Sequence, residues 1–302
     1  QICFMFAFMW VYTRLQRAAS VELTPEAGRI VQRDIATGKD RLIVWGTVSF
    51  MLVLLAAPLL ALAFRSLSTE GGLSLLYYRA LFQNPSQSIF YIPPVSAIGY
   101  SVGYAAVALV MSLCIALPAA LFLSRDRGRA TSLLDPLFML PLATSSVTLG
   151  FGYIIALDEP PLNLRTSLLI VPLAHTLVAY PFVVRSILPA LRSIPAGLRE
   201  SAVLLGAAPS QVWWKVTAPL IRMPLVVGAI FAFTVSLGEF GATIFLARPE
   251  LPTMPLAIYR FLGRPGALNY GQAMAMSTIL MIVTAAGFLL LERLRTGPGG
   301  EL

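Results

Sequence analysis

The chain has 302 residues, 57% of them hydrophobic and only 12% charged, with a mean hydropathy of +0.79. A soluble domain presents far more charge to water than this, so the composition excludes one and places the chain in a bilayer. The net charge of +8 invites a nucleic-acid reading, but 16 of the 22 Lys and Arg fall in four segments, 14–42, 124–132, 185–222 and 292–302. Such clustering is how positive charge sets membrane topology, so membrane lipid is an expected partner and nucleic acid is not.

A crossing needs about 20 apolar residues. Residues 1–13 read as the end of a preceding span: no basic segment comes before the apolar run, and Arg14 and Arg17 follow it, the reverse of a signal peptide. Residues 14–42, polar and mixed in charge with Pro25, Gly28 and Gly38, read as a cytoplasmic linker. The chain is therefore expected to be a piece of a longer protein.

From 43 to 295 the pattern predicts an all-α, polytopic unit of six spans near 43–64, 95–123, 133–157, 168–187, 223–247 and 271–291, with a tail at 296–302. The positive-inside rule puts the C-terminus and the loop 196–219 in the cytoplasm, and the loops 65–94, 158–167 and 248–270 outside. Leu73–Phe82 is too short to span and is expected to lie at the outer interface, with the hydroxyls of Tyr77 and Tyr78 in water. The loop 248–270, rich in proline and glycine, is not expected to be one continuous helix. Cys3 and Cys114 fall in apolar spans and read as small packing residues, not as a disulfide or metal pair.

One loop carries more information than the rest: Glu200-Ser201-Ala202-x3-Gly206-x9-Val216-x-Ala218-Pro219. Gly206 suits a helix-ending reversal and Pro209 the first turn of a following helix. Glu200 stands among Arg192, Arg199 and Lys215, where an ion pair would fix the loop's shape. The pattern resembles the signature loop of ATP-binding-cassette importer permeases, Glu-Ala-Ala-x3-Gly-x9-Ile-x-Leu-Pro, with Ser201, Val216 and Ala218 as conservative departures.

The likeness reaches further. The opening LSLLYYRALF, the span entered at Ala97–Ser101 and the segments LPLATSSVTLGFGY (140–153) and SLGEFGATIFL (236–246) are similar to permeases for ferric iron and thiamine. The resemblance implies a MetI-like six-helix domain whose loop forms two short coupling helices seated on a cytoplasmic ATPase dimer. A periplasmic or lipid-anchored substrate-binding protein would deliver the solute. Those relatives often fuse two six-span units, so a second unit, the missing N-terminal half of the same polypeptide, would explain residues 1–13. Ferric iron or thiamine is the preferred cargo, with sulfate or molybdate as the alternative. No cofactor is expected on this chain, ATP being bound by the partner subunit; no Gly-x4-Gly-Lys-Ser/Thr loop occurs in it.

Ionisable groups inside a bilayer are costly and seldom kept without a use. Glu239 is the one acidic residue expected deep in a span. Ser101, His175 and Glu239 lie at similar depth and are candidates for one polar level of a central pathway, although a packing role is favoured for His175. Gly99-Tyr-Ser101-Val-Gly103 also matches a Gly-x-Ser-x-Gly nucleophile pattern, and Ser101, Asp158 and His175 occur in hydrolase order. An intramembrane serine protease using Ser101 and His175 is thus a remote alternative, as is a secondary transporter. The chain is not expected to be an enzyme.

Overall fold

The computed structural model describes residues 7–8, 10–11, 38–83, 93–125, 129–158, 164 and 167–295. Of the expected span at 1–13, residues 7–8 and 10–11 are helical; most of the 14–42 linker and the tail at 296–302 lie outside the described residues. Gly38 already opens the first long helix, so the last residues assigned to the linker belong to a span.

Helix α1 (Gly38–Leu67) leads through a two-residue hairpin, β1 (Ser68–Thr69) and β2 (Gly72–Leu73), to the short α2 (Leu76–Ala80). Then come α3 (Ser96–Arg125), α4 (Arg129–Ala143), α5 (Ser146–Leu157) and α6 (Ile170–Ser193). Next are α7 (Ala196–Leu204), α8 (Pro209–Val212), a π-helical turn at Trp213–Thr217 and α9 (Ala218–Gly238). The chain ends with α10 (Thr243–Leu246), α11 (Met254–Leu262) and α12 (Ala267–Arg295).

Among the described residues, five runs are long and apolar enough to cross a membrane: Gly38–Leu67, Ser96–Ser124, Ile170–Ser193, Pro209–Gly238 and Ala267–Arg293. The expected third span, 133–157, is not one rod. Its halves, in α4 and α5, are bent by 104° at Thr144–Ser145, where Pro141 weakens the helix and Ser145 adopts an extended ψ of 133°. The fifth span also departs from expectation, stopping at Gly238 instead of continuing to 247.

Helix α6 is the axis of the bundle. Of its apolar window 67% is buried, against none for α1, which lies at the periphery. It packs between α3 and α9 through Ala116, Ala119, Ala120, Ala179, Val183, Ile187 and Ala232. Lipid gives helices no hydrophobic reason to associate, so small residues that admit close van der Waals contact do the work. Gly228 of α9 illustrates it: a Cβ there would stand 3.0 Å from Val183 Cγ1 and 3.3 Å from its Cα.

Polar bonds tie α6 to α9 and to α4. Ser186 donates to the Pro224 carbonyl at 2.7 Å, and Tyr180 to the Phe138 carbonyl at 2.7 Å. Arg192 meets the buried Asp135 at 3.5 Å. Cys114, expected as a packing residue, is exposed on α3.

At the opposite end from the 196–217 loop, a second core joins Leu81, Ala97, Leu237, Met254, Phe261 and Met276. Gln272 donates to the Ala80 carbonyl at 2.9 Å, holding α2 on α12. The hydroxyl expected in water is not there: Tyr78 Oη pairs with Ser66 Oγ at 2.7 Å. The loop 248–270 is discontinuous as expected, α11 being separated from α12 by Gly266 at φ +116°.

Candidate coupling surface and the buried helix break

The loop 196–219 folds into one independent helix and one that is not independent. Helix α7 carries Glu200, Ser201 and Ala202, and it ends in a Schellman turn. Gly206 N–H donates to Val203 C=O at 2.9 Å and Ala207 N–H to Ala202 C=O at 3.0 Å. That pair of bonds requires a left-handed residue, and Gly206 supplies it at φ +83°. Pro209 then opens α8 at its first position, where a missing N–H costs nothing. Gln211 Oε1 caps the same end by accepting from Ala208 N–H at 2.9 Å.

The second expected coupling helix is continuous with a span: Pro209–Gly238 is a single 30-residue run. Its only irregularity is the π turn at Trp213–Thr217, where Ala218 N–H reaches back to Trp213 C=O. The irregularity sits beside Pro219, which cannot donate to the carbonyl of Lys215, so the helix accommodates one extra residue. Val216 and Ala218 are half-buried on this junction, and Trp213 packs against the α3–α6–α9 core.

The turn's outer face is apolar. Leu204 is 87% and Leu205 89% exposed, and Val203 and Trp214 are exposed beside them. Glu200 is exposed and makes no ion pair among the described residues. The pair anticipated from its cationic neighbours does not form; Arg192 engages Asp135 instead. The shape of the turn is held by backbone bonds, so it needs no such pair.

The other break bordering α9 is buried. Glu239 is 7% exposed at the C-cap of α9, and its carboxylate Oε1 accepts from Ala242 N–H at 2.7 Å. Gly241 N–H and the Ser146 hydroxyl bond the same carboxylate. Gly241 lies directly on Ser146, and a Cβ on Gly150 would stand 2.7 Å from Ala242 Cα, so the broken fifth span rests on the N-terminal half of α5 with no room between them. The two helix breaks of the bundle therefore meet.

His175, 1% exposed, closes the break from α6. Its Nδ1 lies 2.7 Å from Ser236 Oγ and its Nε2 2.8 Å from Thr243 Oγ1. Thr243 in turn donates to the Glu239 carbonyl at 3.1 Å. With the Thr243 proton committed there, Nε2 is the donor and Nδ1 accepts from Ser236, an assignment that leaves a neutral imidazole fully paired. His175 thus spans the gap between the end of α9 and the start of α10.

Ser101 is brought elsewhere. It is 3% exposed and accepts from Met254 N–H at 2.7 Å, capping α11. Glu239 and His175 share Thr243; Ser101 does not join them. The protease reading loses its geometry, because both His175 nitrogens are bonded to other hydroxyls and no Ser101–His175 bond exists. Ser146, Ser236 and Thr243 were not singled out in the sequence; a hydroxyl in an apolar run gives no sign of which helix it will meet. Asp135, at the edge of its span in sequence, gives no sign there that it will be buried against Arg192.

Among the described residues, five membrane-length apolar helices and one bent pair, with an exposed, self-capped turn between Ser193 and the run that opens at Pro209, have the architecture of a multi-pass membrane protein. Residues 112–296 match the family model described as the binding-protein-dependent transport system inner membrane component, and the chain belongs to that family. The molybdenum transport system permease protein ModB of Mycobacterium tuberculosis is 34% identical over 248 residues, which cover 78% of this chain and 87% of that one. The putative 2-aminoethylphosphonate transport system permease protein PhnV of Salmonella typhimurium is 32% identical over 180 residues, 58% of this chain and 65% of that one. A solved bacterial alginate ABC transporter, in complex with a periplasmic protein bound to an alginate pentasaccharide, shares the fold with a TM-score of 0.64 at 18% identity, over 84% of this chain and 93% of that one. The chain is a transport component of the inner membrane and not an enzyme. The preference for ferric iron or thiamine finds no support in these relatives.

Proposed function

We propose that this chain is the permease subunit of an ATP-driven importer for a small oxyanion of the molybdate type. The observation that carries the reading is the 34% identity to a molybdenum permease across 87% of that protein's length. The phosphonate relative, at 32% identity, favours a second reading in which the cargo is an organophosphonate. Both are compact oxygen-rich anions. Glu239 turns its carboxylate back onto the Ala242 N–H of the break itself, so its contacts are structural and do not choose between the two cargoes.

In this reading a cytoplasmic ATPase dimer grips the turn at Leu204–Gly206 and moves α9 with it, since Pro209–Gly238 is one rigid run. The C-terminus is cytoplasmic, a periplasmic or lipid-anchored binding protein delivers the anion, and a second six-span unit completes the pathway. Glu239 and His175 hold the wall of that pathway where two broken spans meet. An ATPase drives the cycle only if it binds the inward- and outward-facing states with different affinity, so the turn must change neighbours during transport.

The test is uptake into liposomes carrying the complete transporter. ATP-dependent accumulation of radiolabelled molybdate, competed by excess unlabelled molybdate and not by thiamine or ferric iron, is expected. Competition by 2-aminoethylphosphonate alone would move the assignment to the second reading. Thiamine or ferric iron uptake would overturn both.

A further inference from the structure

At the end of the bundle away from the coupling turn, a cleft of about 310 Å³ opens where α1, β1, α2 and α12 converge. It is lined by Phe64, Arg65, Ser68, Tyr77 and Tyr270, with Ala267 and Gly271. Among the described residues, the side chains of Arg65, Ser68, Tyr77 and Tyr270 have no hydrogen-bond or ionic partner. This is unusual for the surroundings: the neighbouring Ser66 and Tyr78 bond each other, and Gln272 bonds Ala80. One guanidinium-bearing and three hydroxyl-bearing side chains line one space, and no carboxylate does. Glu70, at the tip of the adjoining hairpin, is exposed and unpaired, so it does not neutralise Arg65.

A cluster of unpaired donors around a permanent cation is complementary to a phosphate group, which accepts from a guanidinium in a fork and from hydroxyls at its other oxygens. The cleft's size is at the lower limit of the roughly 300–1,000 Å³ typical of small-molecule sites, enough for a headgroup and not for a whole lipid. What lies beyond it supplies the rest. Phe64 and Leu60 are 62% and 67% exposed on α1 directly below the rim, and none of that helix's apolar window is buried. An acyl chain attached to a phosphate in the cleft would run along this apolar surface.

We propose that the cleft binds the phosphate of an anionic phospholipid, which holds the peripheral α1 against α2 and α12. The charge complementarity and the adjoining apolar face of α1 favour a lipid over a soluble anion. The inference is independent of which solute is transported.

Native mass spectrometry of the purified chain in detergent, titrated with dihexanoyl phosphatidylglycerol, tests it. Wild type should retain one phosphatidylglycerol more tightly than dihexanoyl phosphatidylcholine. Arg65→Gln should weaken retention about fivefold, the contribution of one interfacial cation. Tyr270→Phe should weaken it less. Both side chains are exposed, so thermal stability in lipid-free detergent should not change and misfolding is separable from lost binding. Equal retention by wild type and Arg65→Gln would overturn the proposal, as would equal binding of phosphatidylcholine. Displacement of phosphatidylglycerol by equimolar inorganic phosphate would assign the cleft to a soluble anion and overturn it too.

Discussion

Helix α9 is bordered by two breaks that solve one problem in opposite ways. At Leu205–Ala208 the chain reverses in the open, and backbone groups satisfy one another through Gly206 and the carbonyls of Ala202 and Val203. At Glu239–Ala242 the chain breaks inside the bundle, where side chains join the backbone in pairing the freed groups. Two from the break itself do so, Glu239 and Thr243, and His175 from α6 and Ser146 from α5 brace those two side chains. An exposed break can be specified locally and left free to meet a partner. A buried one has to be wired to its neighbours, so it moves only with them.

Removing the wiring should have the largest effect. In Glu239→Ala the amides of Gly241 and Ala242 and the Ser146 hydroxyl lose their acceptor, at about 1–3 kcal/mol for each donor left unpaired. The variant is expected to show a clearly lowered melting temperature in detergent and no uptake. Glu239→Gln keeps one carbonyl oxygen for the Ala242 amide and should retain most of the stability. If Glu239→Ala melts with wild type, the two breaks are alike and the contrast between them fails.

Gly206→Val probes the exposed break. A Cβ there meets nothing within 4 Å, so no clash results, but φ +83° is strained for any side chain. The backbone cost is about 1–2 kcal/mol. Because the turn is at the surface, the chain should relieve this by reshaping the turn while the bundle stays folded. The expected signature is a near-normal yield of inserted protein with ATP-driven uptake down about tenfold, within the range of a single site-to-site coupling. Unchanged uptake would remove the turn from the mechanism.

How much of this was legible in the sequence follows the same division. The turn at 200–219 was readable because each of its parts is local: a glycine at the reversal, a proline at the next helix start, exposed surface between apolar runs. The five straight crossings among the described residues were readable because span length is set by the bilayer. The breaks at Thr144–Ser145 and Gly238–Glu239 were not, since Pro141 and Gly238 occur within apolar runs where prolines are otherwise tolerated, as Pro118, Pro181 and Pro224 are. Glu239 and His175 were recognised by the cost of burying them. Their partners were hidden because Ser146 lies 93 positions before Glu239, and Ser236 and Thr243 lie 61 and 68 positions beyond His175.

The smallest effect on the fold should come with a large one on function. Leu204 and Leu205 are 87% and 89% exposed, so Leu204→Ser with Leu205→Ser buries and unburies almost nothing in this chain. Stability should stay within about 0.5 kcal/mol of wild type. Two adjacent, nearly bare leucines on a rigid turn have the form of an interface anchor, and truncating a hot spot costs about 2 kcal/mol or more. That corresponds to a roughly thirtyfold weaker complex, measurable as lost co-purification of the ATPase from membranes in which the permease itself is undiminished. Because the turn's shape rests on backbone bonds that these substitutions do not touch, a loss would be assigned to the apolar face and not to refolding of the loop. If the ATPase remains bound, the exposed break is not the handle, and the freedom of its surface would need another explanation.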